Sequence, residues 1–187
     1  MRKFSTKKVS VWLVALAALA VMIAPGANGQ DVTTGSATAT VLTVLAVTAT
    51  QALDFGNVYQ GVAKVQDETD DALSGIFTIT GSGAANISCY MQLPDYVALS
   101  TGVDRMTIAF STTDATFSVL AAAAPSTPSA PGVGATLNTN PHNLTGTAIG
   151  AAGTSQIFLG GKVIPSVNQT AGAYSADIVL TVAYTGS

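Results

Sequence analysis

Ala173-Tyr174-Ser175-Ala176-Asp177-Ile178-Val179-Leu180-Thr181-Val182-Ala183-Tyr184 repeats with a period of two. Tyr174, Ala176, Ile178, Leu180, Val182 and Tyr184 fall on one side, and Ser175, Asp177, Val179, Thr181 and Ala183 on the other. Successive side chains of a β-strand point to opposite faces, so 173–184 is expected to be a strand with one face against a core. The rest of the chain repeats this signal in shorter pieces. Residues 36–48 are rich in Thr and Val, and 75–80 and 86–93 are separated by the turn-forming Gly81-Ser82-Gly83. Strands are also expected at 106–112, with Met106, Ile108 and Phe110 inward, at 116–120 and at 156–164. No long stretch after residue 29 carries the 3.6-residue apolar period of a helix. Short strands joined by polar turns point to an all-β sandwich or barrel.

The two remaining parts differ in composition. Arg2, Lys3, Lys7 and Lys8 precede an uncharged apolar run at 9–23, followed by Pro25 and small residues. This is the order of a secretory signal peptide, and Ala27 and Gly29 suit a cleavage after Gly29. The run is shorter than the roughly 18–20 residues of a membrane-spanning helix. The expected organisation is therefore a signal peptide at 1–29 and one domain at 30–187, exported to the periplasm, cell surface or medium. Residues 121–153 are a Pro, Ala, Ser, Thr, Gly and Asn tract with few large apolar groups, read as a flexible loop.

Charge and chemistry narrow the function. After residue 29 only Lys64, Arg105 and Lys162 stand against ten acidic residues, a net charge of −7. So few cations cannot neutralise a run of phosphates, which argues against nucleic acid as a partner. The lone His142 lies in Asn140-Pro141-His142-Asn143, and no G-x-S-x-G elbow is present, so neither a nucleophile–base pair nor an enzymatic role is expected. Gly81-Ser82-Gly83-Ala84-Ala85-Asn86 lacks the last glycine and the following helix of a dinucleotide loop. Asp67-Glu68-Thr69-Asp70-Asp71 does not have EF-hand spacing and reads as a solvated, self-repelling loop. No cofactor or metal is expected. Cys89, the only cysteine, sits in the alternating run Ile87, Cys89, Met91 and is expected to be a buried thiol.

Several short pieces occur in a definite order. Ala37-Thr38-Ala39-Thr40-Val41 comes first, then Leu53-Asp54-Phe55-Gly56, Gly160-Gly161-Lys162-Val163, Gln169 with Gly172 and Tyr174, and finally Val182-Ala183-Tyr184. The chain resembles the exported bacterial domain-of-unknown-function family four-four-zero-two, itself similar to spore coat protein U and archaic chaperone–usher pilin subunits. The resemblance implies an immunoglobulin-like Greek-key sandwich and a structural role in a surface appendage or coat. It also implies self-association into a polymer, served by a periplasmic chaperone and an outer-membrane usher. Subunits of such fibres are completed by strand addition from a neighbour. In this chain Ala37, Ala39 and Val41 are then the donor positions, and Tyr174, Ile178, Leu180, Val182 and Tyr184 line the acceptor groove. The alternative is a self-contained secreted sandwich that binds carbohydrate or another surface ligand, with Tyr59, Tyr90 and Tyr96 as its available aromatics.

Overall fold

The computed structural model describes residues 35–120, 123–127 and 142–185. The chain divides into two units, Met1–Thr40 and Val41–Ser187. In the first, residues 35–40 are exposed and carry no regular secondary structure. The expected signal peptide lies outside the described residues.

The second unit is all-β, with no helix among the described residues. Its strands are β1 (Ala46–Gln51), β2 (Lys64–Gln66), β3 (Gly75–Thr80), β4 (Asn86–Gln92), β5 (Tyr96–Leu99), β6 (Arg105–Ala109), β7 (Ala115–Ser118), β8 (His142–Ala148), β9 (Thr154–Leu159), β10 (Gly161–Ile164), β11 (Tyr174–Ser175) and β12 (Val179–Tyr184). All pairings are antiparallel. They build a four-stranded sheet β1-β3-β9-β7, a three-stranded sheet β12-β4-β8 and a five-stranded sheet β11-β5-β6-β10-β2.

Alternation explains where the core lies. Phe77 and Ile79 of β3, Phe117 of β7 and Ile157 and Leu159 of β9 form one buried cluster with Ile87, Cys89 and Met91 of β4 and Leu144 of β8. The four-stranded and three-stranded sheets thus share one core, an arrangement consistent with a β-sandwich. A second cluster, Val97, Met106, Ile108 and Val163, covers one face of the five-stranded sheet. Phe110 packs against both clusters and joins them. Cys89 is fully buried, as its alternating context implies.

Two expected strands are each split between sheets. Residues 156–164 were expected as one strand, yet β9 belongs to the four-stranded sheet and β10 to the five-stranded one. The chain crosses between them at Gly160, where a Cβ would lie 2.4 Å from the Gln66 carbonyl oxygen, so only glycine fits. Residues 173–184 are likewise split into β11 and β12, and Ala176 in the break is exposed. A period-two pattern survives a change of sheet because it reports which side faces apolar material, not which strand lies alongside.

Two other expectations shift. The strand expected at 36–48 begins only at Ala46. The tract at 121–153 contains β8, paired with β4 through Cys89↔Leu144. Leu144 and Ile149 are fully buried, so the few large apolar residues of this tract anchor its end in the core. Residues 128–141 lie outside the described residues.

The acidic loop is organised by its own carboxylates. Asp67 accepts bonds from the Thr69 hydroxyl (2.6 Å) and amide (2.9 Å), which hold its pKa down. Asp70 accepts from the amides of Ala72 (2.8 Å) and Leu73 (3.0 Å). Asp71 accepts from the amide and hydroxyl of Ser126. A run read as self-repelling is thus folded by side chain-to-backbone bonds that offset the repulsion.

Candidate strand-addition site

β12 is an edge strand. It pairs with β4 along its whole length, from Val179↔Gln92 to Tyr184↔Ile87, and no described strand pairs with its other side. Ile178, Leu180, Val182 and Tyr184 turn toward the shared core but are only half-buried, whereas their partners Met91, Cys89 and Ile87 are buried. β1 is the corresponding edge of the facing sheet, and Leu45 and Leu53 at its two ends pack against the same core half-buried. Apolar side chains that stay half-wet between two sheet edges, beside a row of unpaired backbone groups, are what an additional strand would cover.

One end of this open side is closed by Tyr184. Its hydroxyl accepts a bond from the Ser82 amide at 2.7 Å and donates to the Thr43 carbonyl at 2.9 Å. The ring fits because residue 81 is glycine, where a Cβ would lie 2.5 Å from that hydroxyl. The turn after β3, the end of β12 and the chain leading into β1 are thereby tied at one oxygen.

The other end opens into a cleft of about 970 Å³. Its floor is the second core, Val97, Met106, Ile108 and Val163, and Phe55 and Tyr174 stand in its walls. Ile178 lines the cleft and also packs on the first core, so it links the half-buried row of β12 to the cleft. Asp54 shapes the near wall: it accepts from the Gly56 amide at 2.7 Å, and Gly56 takes the left-handed φ of 56°. Leu53 and Phe55, either side of it, reach the first and second cores respectively.

The far wall is held by Asp104. Its Oδ2 accepts from the Thr170 amide (2.8 Å) and from Gln169 Nε2 (2.9 Å) and lies 3.0 Å from the Tyr174 hydroxyl. Its Oδ1 accepts from the Arg105 amide at 2.8 Å. The Thr170 amide foremost, then the Thr170 side chain, the Arg105 amide and the Tyr174 hydroxyl, hold the carboxyl down at about 2. Gln169 is buried and also donates to the Tyr174 hydroxyl at 2.9 Å. The spacing of Gln169, Gly172 and Tyr174 therefore has a structural meaning: it closes a turn onto the β5–β6 connection.

Of the residues singled out from sequence, Tyr174 and Ile178 line the cleft, and Ile178, Leu180, Val182 and Tyr184 form the half-buried row of β12 on the first core. Ala37 and Ala39 are exposed in the first unit, and Val41 is 94 % exposed at the start of the second. Thr43, Ser82 and Asp104 take part in the site without any sequence signal, because each contributes through a backbone group or a partner distant in the chain. The backbone of His142 pairs with Met91. Among the described residues no group of three or more His, Cys, Asp or Glu converges as for a metal ion. The chain matches no family model, no curated protein and no solved structure.

Proposed function

We propose that this chain is a structural subunit of a bacterial surface appendage or coat, an incomplete immunoglobulin-like sandwich completed by a strand from another copy. The observation that carries this reading is the bare edge of β12, whose half-buried apolar row runs into the open cleft of the second core. Here a strand added beside β12 would extend the β12-β4-β8 sheet, which has no other strand on that side among the described residues. The resemblance to pilin-like exported proteins points to the same reading, and with it to a periplasmic chaperone and an outer-membrane usher as assembly partners.

The donor is the segment 37–41 of a second copy. Ala37, Ala39 and Val41 share one parity and would face the groove. Two alanines and a valine bury little area, roughly 3–5 kcal/mol at about 25 cal/mol per Å². Main-chain bonds to the free edge add about 1 kcal/mol each. Negative-stain imaging and size-exclusion of the exported protein test the proposal. Ordered filaments that disappear in Ala39→Asp, which places a charge in the groove, are the expected result. A wild-type protein that stays monomeric and stable at every concentration would refute it and favour a self-contained secreted module.

A further inference from the structure

The outer face of the five-stranded sheet has a chemistry unlike the rest of the molecule. Alternation sends Val97, Met106, Ile108 and Val163 inward, so Tyr96, Arg105, Ile164 and Lys162 point outward. The ladder places them side by side: Lys162 opposite Val65, and both Ile164 and Tyr96 opposite Thr107. Val65 is 64 % exposed, Tyr96 47 % and Ile164 43 %, so no described segment covers this face. The guanidinium of Arg105 lies over the Tyr96 ring, 4.6 Å from its centre.

This face holds two of the three cations that follow residue 29 in a chain with ten acidic residues there. The third, Lys64, turns to the opposite side and donates to the Asn57 carbonyl at 3.3 Å. The complementary surface is on the same chain. Asp67, Glu68, Asp70 and Asp71 fall within five consecutive positions, and three of them are fixed by the turn and Ser126 bonds described above. An anionic loop held in one shape, and a flat face that combines cations with exposed apolar side chains, are a matched pair.

We propose that this sheet face docks the Asp67–Asp71 loop of a second copy of the chain. The loop follows directly on β2, whose Val65 lies on the face, so each copy carries both halves of the contact on neighbouring segments. A reciprocal pairing of two copies closes as a two-fold dimer, whereas a one-way pairing propagates into rows or a ring. The contact uses neither β12 nor the donor segment, and it therefore stands apart from strand addition. Its electrostatic part is exposed and screened by salt, whereas strand addition rests on apolar burial and main-chain bonds and is not.

Sedimentation velocity of the exported protein separates the two. Raising salt from about 0.01 to about 1 M shortens the screening length from roughly 30 to roughly 3 Å and is expected to weaken this face-to-loop association at least about tenfold. The double variant Arg105→Glu/Lys162→Glu removes that salt-sensitive component at low salt, and Glu68→Lys/Asp71→Lys does the same. Mixing the two variants restores it, because each then meets its complement. Arg105→Gln/Lys162→Gln gives an intermediate loss. Thr48→Glu/Thr181→Glu, which adds negative charge on exposed positions of the other sheets, leaves most of it in place. Ala39→Asp abolishes only the salt-insensitive assembly. Three results would each overturn the proposal: reversed-face protein that associates like wild type, an equal loss in the Thr48/Thr181 control, or no rescue on mixing. A face reversal that spares self-association but abolishes binding to an anionic polysaccharide such as alginate would assign the face to a glycan instead.

Discussion

Leu180→Ala is the most direct probe of the open edge, because its cost depends on whether β12 is covered. Leu180 lies opposite Met91 in the ladder and packs on the first core, yet it is only half-buried, while Met91 is fully buried. Complete burial of a leucine side chain contributes about 1.5–3 kcal/mol, and truncation in a closed core costs about 2–5 kcal/mol once the cavity is included. A half-exposed edge position leaves water where the cavity would form, so the cost in the isolated subunit is expected near the lower end, about 1–2 kcal/mol. In the assembled form the added strand covers the site, and the cost is expected to rise to roughly 2–5 kcal/mol. The assay is urea unfolding followed by circular dichroism, on the subunit at low concentration and on the assembled material. Thr181→Ala, one residue on and facing outward, is the internal control and should change stability by under about 0.5 kcal/mol in both. Equal effects of the two substitutions would refute the alternation of β12. Equal cost of Leu180→Ala in subunit and assembly would refute the covering of its edge.

Tyr184→Phe keeps the ring and removes the hydroxyl between Ser82 and Thr43; thermal unfolding should show a loss of about 1–3 kcal/mol, with faster amide exchange at Ser82. The folded-state pKa of Asp104, about 2, lies below the ordinary carboxyl value of 3.8, so its contribution is complete above the latter and lost as pH falls toward the former. Acid titration by circular dichroism should therefore show a shallower slope below pH about 4 for Asp104→Asn, which retains the shape but not the charge. Gly160→Ala forces a Cβ against the Gln66 carbonyl and should destabilise by about 1–3 kcal/mol or prevent folding, while Gly35→Ala, with no atom near its would-be Cβ, should be neutral in the same melt. Melts in chelator and in millimolar calcium should agree within a few degrees, because the carboxylates of Asp67, Asp70 and Asp71 already accept bonds from backbone and hydroxyl groups.

Period-two patterning determined a good deal by itself. It identified the strands expected at 75–80 and 86–93, the buried row of Ile87, Cys89 and Met91, and the inward turn of Tyr174, Ile178, Leu180, Val182 and Tyr184, but not the exposure of Ala176. Local turn chemistry placed the turn at Gly81-Ser82-Gly83, though not the change of sheet it makes between β3 and β4, and composition placed the charge. These features follow from side-chain direction and backbone freedom, which are properties of a few consecutive residues. Strand partnership is not local. That β9 and β10, or β11 and β12, belong to different sheets follows from crossings such as Gly160, where neighbouring chain segments decide how close the backbone passes. β2 and β5 are too short to show a period, and β8 lies in a tract whose small polar residues hide the two that matter, Leu144 and Ile149. Only the tertiary arrangement tied Tyr184 to Thr43 and Asp104 to Gln169, across separations that no pattern spans. It alone left β12 without a second neighbour among the described strands, because an edge is defined by what else the sheet contains.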